Sequence, residues 1–543
     1  MFFVSATERA TMQPPAPPCQ PDAAAWPLGP AGEPRPLPLV PVEIPGFRGE
    51  VLGGDARLPF GEASGILRSL PDAVAIPADA EDVAALVSWA AGTRTPLVPR
   101  GAGTGLPGGN VGRGVSVDLV SRFRAVLSVD EGHARLLPGC TLAELNAAAP
   151  HGLHFPVDPS SAARATLGGM IANNSGGVHT VLHGSTRRWV HALEVVLADG
   201  ERVRVERGVP PGSPRLREIL AFVDAAIEPH RATIEARWPR VRKNSSGYAL
   251  REYLESGDAV DLLVGSEGTL ALVTEAEVRL APVAAARGLA LLEFTDLAAA
   301  ASAVQRVLEL GPSACEMIDR TFIDLVRGGG EDPGYPLREG LEAILFVEME
   351  GGSVDEVEAS LERVRGALGS IADRVSVAID PAEQERFWHV RHAASPLIAR
   401  LAGGRISMQF IEDGVVPVDR LADYVRLLRR VLAANDLPAV IFGHAGDANL
   451  HVNPLVDVGA PGWKARVEAI VYEVAEGVAA LGGTMAGEHG DGRLRAPLIE
   501  IIWGAELVDC FRAVKRAFDP LGILNPGVIL PLPGQRPLDA IKF

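Results

Sequence analysis

Cysteine is scarce: the four in 543 residues, Cys19, Cys140, Cys315 and Cys510, are widely scattered. They form neither a disulfide framework nor a Cys-x-x-Cys zinc or iron–sulfur pattern, and they suit a reducing compartment. No uncharged apolar run of about 18 residues is available to span a bilayer. The amino-terminal stretch also lacks the basic start and apolar run of a signal peptide. Basic residues are outnumbered, 51 Lys and Arg against 68 Asp and Glu, for a formal charge of −17. That excess repels phosphate backbones and anionic lipid, so nucleic acid is not an expected partner. The expectation is a cytoplasmic chain without a transmembrane segment, able to meet a membrane only peripherally through a partner.

Hydrophobic residues at 47% and charged residues at 22% are those of a folded enzyme. At about 100–200 residues per domain the chain should hold two to four domains. Twelve of the 43 prolines fall in residues 1–45, which predicts an extended, solvated tail. From Leu70 strands and helices alternate. Asp79 caps a helix over Glu81–Ala91, Pro96–Arg100 and Val115–Leu119 are short strands, and Thr141 with Glu144 is a capping box. Asp199-Gly200 is a two-residue hairpin turn between Ala192–Ala198 and Arg202–Val205. An α+β unit over 70–282 is followed by a second. Its strands lie around Leu289–Phe294, Ala343–Met349, Arg405–Phe410 and Ala439–Gly443, and its helices around Asp296–Leu310, Val354–Leu368 and Asp419–Ala434. A helical run near Pro497–Phe518 leads to the closing segment.

Three glycine-rich stretches carry the first chemical signal. Pro99-Arg100-Gly101-Ala102-Gly103-Thr104-Gly105-Leu106-Pro107-Gly108-Gly109-Asn110 contains G-x-G-x-x-G, yet Pro107 and Gly108-Gly109 stop the helix a Rossmann site would need. A phosphate-cradling loop between strands fits better, with a plain flexible turn as the alternative. Thr166 to Gly177, including Gly168, Gly169, Asn173, Ser175 and Gly176, is small and amide-rich enough for a flat ring system to touch backbone. Gly265-Ser266-Glu267-Gly268 is the third. Three such stretches in one unit favour a shared ligand over three separate turns.

The second half carries a metal-like constellation. In Gly443-His444-Ala445-Gly446-Asp447-Ala448-Asn449-Leu450-His451-Val452-Asn453 a turn separates two strands, so His444 and His451 can face one another. His451 and Asn453 share a strand face by the period of two. Gly487-Glu488-His489-Gly490 adds a carboxylate and a third imidazole. Two imidazoles and a carboxylate leave an open position on a divalent ion, as catalytic sites do; solvated loops with incidental histidines are the alternative. The stretch Phe387–His392 reads as helical, and Arg391 lies on it, where an arginine is commonly a solvated face residue.

In the order Arg100–Gly109, Leu167–Gly177, Gly265–Thr274, Gly443–His451, Gly487–Gly490 and Phe518–Gly527, these motifs resemble the vanillyl-alcohol-oxidase-type flavoproteins. The branch is that of D-lactate, D-2-hydroxyglutarate and glycolate dehydrogenases. The resemblance implies an α+β fold: a two-subdomain FAD-binding (PCMH-type) domain over 70–282, then an FAD-linked oxidase C-terminal cap over 283–531. It implies noncovalent FAD on the three stretches, with Val273 and Asn525 as further contacts. It makes His444, His451 and Glu488 ligands of a divalent metal, zinc first, with manganese or iron as alternatives. His489 becomes the base, Arg391 the clamp for the substrate carboxylate, and Asn453 a further polar contact.

The phosphate loop has no histidine, so a covalent flavin link is not expected there. Ala448 stands where relatives often have glycine. Arg405–Pro417 contains no lysine, which removes an expected partner for the distal carboxylate of 2-hydroxyglutarate. The expected activity is oxidation of a D-2-hydroxy acid to the 2-oxo acid, with hydride transfer from C2 to flavin N5. Without a cysteine cluster before Phe543, electrons should pass to a quinone, a cytochrome, an electron-transfer flavoprotein or a separate iron–sulfur subunit. A non-catalytic flavin-binding subunit, or a flavin oxidase of the same fold acting on another alcohol, are the competing readings.

Overall fold

The computed structural model describes residues 43–130, 132–328, 334–392 and 404–543. The expected proline-rich tail lies outside the described residues as far as 42. Its last residues differ from expectation, because Ile44 is buried in an apolar cluster that partly buried Phe47 and Val51 also join.

The first half is built on two sheets. Four strands run in the order Glu50–Leu52, Ala73–Ile76, Val115–Asp118, Leu97–Arg100, with the last three parallel. The crossover is the helix Ala80–Thr93, whose amino end is capped by the Asp79 carboxylate accepting from Asp82 N. Five antiparallel strands follow in the order Val126–Asp130, His133–Leu136, Leu272–Arg279, Val190–Val196, Arg202–Glu206. The hairpin at Asp199-Gly200 and the capping box of Thr141 and Glu144 both form.

The second half is one antiparallel sheet in the order Arg374–Ala378, Ala286–Phe294, Ala343–Gly351, Ala314–Asp319, Ala439–His444, Asn449–Val456, Ile406–Ser407, with Gly414–Val415 also on Asn449–Val456. Helices Leu297–Glu309, Val354–Leu368, Leu421–Ala434 and Trp463–Ala480 cover one face through a continuous apolar core. Arg320–Gly328 and Pro381–His392 carry residues of a smaller cluster on the same sheet. The strand expected over Arg405–Phe410 is reduced to Ile406–Ser407. Met408 N donates to Pro454 O at 2.9 Å, but Pro454 has no amide to return a bond, so the ladder ends there.

The last helix, Ile499–Phe518, turns back to the first half. It packs on the helix Pro214–Ile227 and shares its core, while Ile523 and Leu524 enter the core of the four-stranded sheet. Leu97 N donates to Ile523 O, and Asn525 N to Leu97 O, each at 2.8 Å.

Candidate active site

The three glycine-rich stretches meet around one cavity of about 530 Å³, closed on one side by Glu488 and His489. The loop after Leu97–Arg100 is held from behind by two guanidiniums, that of the buried Arg100 and that of the half-buried Arg493. Arg100 donates to the carbonyls of Asn110, Pro59 and Glu62 at 2.9–3.2 Å, and Arg493 to those of Gly108 and Gly109 at 3.0 and 3.4 Å. Among the described residues, no acceptor engages the amides of Ala102, Gly103, Thr104 or Gly105. Carbonyls tied outward and amides left over make an anion cradle, and burial of the cations beside it lowers the pKa of both arginines. Gly103 has φ +75°, and a Cβ there would stand 2.5 Å from Arg100 Nη2. These features fit a dinucleotide phosphate.

The second stretch is a helix, Leu167–Asn173, capped by Thr166 Oγ1 accepting from Gly169 N at 3.3 Å. Of the residues expected to touch the cofactor, all line the cavity except Gly108, Gly177, Gly265 and Asn525. These four shape the loops instead: Asn525 Nδ2 donates to the carbonyls of Gly109 and Glu267 at 2.9 and 2.7 Å. Glu267 lines the cavity, yet its carboxylate accepts from Asp491 N at 2.7 Å and Gly492 N at 3.0 Å. Burial and the nearby Asp491 push its pKa up to about 8.

The hairpin Ala439–His444 and Asn449–Val456 places Phe442 opposite His451. Its turn runs through Ala448, a buried residue with φ +52°, in the region glycine favours. His444 Nε2 lies 3.3 Å from His451 Nε2 and 3.2 Å from Glu488 Oε1, which is 3.4 Å from His451 Nε2. Ligand atoms about 2.0–2.2 Å from a tetrahedral zinc ion stand roughly 3.3–3.5 Å from one another, so the three atoms fit one divalent ion. Glu488 is also ion-paired with Lys243, both buried. Burial opposes its charge, but Lys243 and His444 hold the carboxyl well below the usual range.

Each flanking imidazole is backed by a buried carboxylate. His444 Nδ1 is 2.5 Å from Glu316 Oε1, and His489 Nδ1 is 2.8 Å from Glu412 Oε2. Asp413, at φ +72°, accepts from His489 N at 2.9 Å and Glu488 N at 3.2 Å, pinning the loop. Arg495 pairs with both acids. Burial alone would lower the pKa of His489, but Glu412 and Asp413 override it to about 9. Both carboxylates face the ring and favour its charged form. Glu412, Asp413 and His489 with His451 form a second cluster of ligand-type atoms.

Arg391 is not a solvated face residue. Its side chain is 12% exposed, Nε and Nη2 donate to Glu316 Oε2 at 3.1 and 2.8 Å, and its guanidinium carbon lies 4.6 Å from the Phe442 ring centroid. Asn453 is not brought to the cavity of His489. It lies two residues beyond His451 on the same strand face and lines a second cavity with Thr321 and Arg429. The sequence motifs missed Lys243, Glu316, Glu412 and Asp413 as parts of the site; for the three acids the signal available was a charged residue within an apolar stretch, whereas Lys243, in Arg242-Lys243-Asn244-Ser245, carries no such signal.

Comparison with known proteins agrees with this layout. Residues 71–206 match the FAD binding domain family, and residues 283–529 match the FAD linked oxidases, C-terminal domain. The chain is 33% identical over 468 residues to the glycolate oxidase subunit GlcD of Bacillus subtilis, covering 85% of this chain and 89% of that protein. The chain belongs to the FAD-linked oxidases. Within this family it is also 32% identical over 459 residues to a D-lactate dehydrogenase of Archaeoglobus fulgidus, covering 84% of this chain and 90% of that one. Among solved structures, 4-ethylphenol oxidase from Gulosibacter chungangensis superposes with a TM-score of 0.65 at 18% identity, over 89% of this chain and 94% of that one. That likeness is one of fold.

Proposed function

We propose that this oxidoreductase oxidises a D-2-hydroxy acid of the lactate or glycolate kind to the 2-oxo acid, using noncovalent FAD and a divalent metal, zinc first. In this reading residues 70–282 hold the cofactor and residues 283–531 form the cap. The observation that carries it is the convergence of His444, His451 and Glu488 at 3.2–3.4 Å, with Glu488 and the neighbouring His489 on the wall of the cavity that the glycine loops line. The names of the two relatives support the acid class.

FAD, when bound, supplies the hydride acceptor at N5, and a divalent ion held by His444, His451 and Glu488 supplies charge that acidifies the 2-hydroxyl. Arg391 binds and orients the carboxylate. Glu412 holds the His489 Nδ1 proton, which leaves Nε2 to receive the hydroxyl proton. Glu412 and Asp413 favour the charged imidazole, and the positive charge of a divalent ion held at Glu488 would favour the neutral one that a base requires. The Asp413 clamp on two loop amides keeps His489 in place while the proton moves. A separate acceptor removes the electrons, and the reading places the enzyme in the cytoplasm. Among the described residues no helix is long and apolar enough to cross a membrane.

An anaerobic screen of D- and L-2-hydroxy acids, read as bleaching of flavin absorbance, tests the reading together with metal analysis of the purified protein. Bleaching by a D-2-hydroxy acid and about one metal per chain are expected. Bleaching only by an aryl alcohol, in protein without metal, would place the enzyme with oxidases of the same fold and another chemistry.

A further inference from the structure

Glu316 stands in the middle of the strand Ala314–Asp319 and is fully buried. Its two oxygens serve two different residues. Oε1 lies 2.5 Å from His444 Nδ1, and Oε2 accepts from Arg391 Nε at 3.1 Å and Nη2 at 2.8 Å. A single carboxylate therefore joins a ligand of the proposed metal to the proposed substrate clamp, although the three residues come from a strand, a hairpin and a helix far apart in sequence.

We infer that Glu316 is a positioning residue that fixes His444 and Arg391 relative to one another, so that the hydroxyl and the carboxylate of one substrate are met together. This rests on the metal reading above. An ionised carboxylate only accepts, so His444 must carry its proton on Nδ1, which turns the Nε2 lone pair to Glu488 and His451. The other oxygen holds Arg391 along its Nε–Nη2 edge while the Phe442 ring packs on the guanidinium. Phe442 lies two residues before His444 on the same strand. Arg391 is thus held on two sides by groups that also neighbour the metal ligands, and neither side chain can shift without unpairing a buried charge.

Glu316→Gln in the full-length, FAD-loaded enzyme tests this. An amide offers one acceptor and one donor, so it can keep one of the two partners but not both. Metal affinity, read by competition with a chromogenic chelator, should fall about 10–100-fold. At saturating metal, KM for the best D-2-hydroxy acid should rise several-fold, with flavin absorbance and melting temperature close to the parent. In an Arg391→Ala background the same change should leave KM where Arg391→Ala alone puts it, while still weakening metal; a purely structural role would not give that split. Should Glu316→Gln fail to fold, Glu316→Asp, which keeps the charge but withdraws it by one methylene, is read by the same two measurements. Parental metal affinity and KM, or a KM effect undiminished by Arg391→Ala, would overturn the inference. A parent that binds no metal would overturn the metal reading itself, and the inference with it.

Discussion

Asn173 Nδ2 donates to the backbone carbonyl of His489 at 2.8 Å, joining the helix on the flavin cavity to the loop that carries the proposed base. Together with Asp413 it fixes the main chain of His489 from two sides. Asn173→Ala removes one of them. Flavin reduction by the substrate should slow by roughly 10–100-fold, the scale of a small misplacement of a reacting group, with metal content unchanged. Rapid-mixing kinetics and metal analysis check this; a parental rate would show that Asp413 suffices.

Glycine loops differ in what they tolerate. Gly103→Val meets both φ +75° and a guanidinium 2.5 Å from its Cβ, so FAD occupancy should drop sharply. Gly105, whose side-chain position makes only ordinary contacts at 3.5–4.0 Å and whose φ is not positive, should accept alanine with FAD content near the parent's. The ratio of flavin to protein absorbance decides, and equal loss in both variants would refute the conformational argument.

His489→Asn keeps size and some hydrogen bonding but removes the basic nitrogen. Flavin reduction should slow by about 10²–10⁴-fold, with FAD and metal retained. The base works deprotonated, so parental activity should rise with pH through the pKa of His489, and this acidic limb should vanish in the variant. Loss of metal along with activity would move His489 into the ligand set.

His179 bridges the two halves of the protein: its ring nitrogens lie 2.7 Å from Asp158 Oδ2 and 2.8 Å from Glu348 Oε1. Burial works to lower its pKa, but the two acids raise it to about 10. A raised folded pKa stabilises fully below the unfolded value of about 6.5 and is lost as pH climbs through 10. The advantage of the parent over His179→Gln in urea denaturation should therefore be large at pH 6 and shrink toward pH 10. A gap that widens with pH would contradict the charged bridge.

What could be seen in the sequence was local. Asp79, the Thr141–Glu144 box and Asp199-Gly200 act within a few residues of themselves, and the glycine spacing and the His444–His451 hairpin are equally short-range. The helix Leu167–Asn173 was hidden because Gly168-Gly169 in its first turn lowers propensity, although Thr166 is an ordinary cap. Glu316 and Lys243 were hidden for another reason. Their partners lie 128 residues away at His444 and in the far loop at Glu488, and only tertiary packing makes a lone acid in an apolar strand, or one of several basic residues in a polar loop, into part of a site. Asn453 shows the converse: sharing a strand face with His451 was correct, but 2 residues along a strand is about 7 Å, enough to reach a different cavity.

Because Ile499–Phe518 and the segment through Asn525 return to the core of the first half, the second half is a loop of structure strung between two covalent attachments, one near Pro282 and one just after Arg495. Glu488 and His489 lie a few residues ahead of the second attachment, and Glu267 of the first half accepts from the amides of Asp491 and Gly492 just beyond them. The loop that carries the proposed base is therefore moored by covalent chain on one side and by hydrogen bonds on the other to the wall that the glycine stretches build.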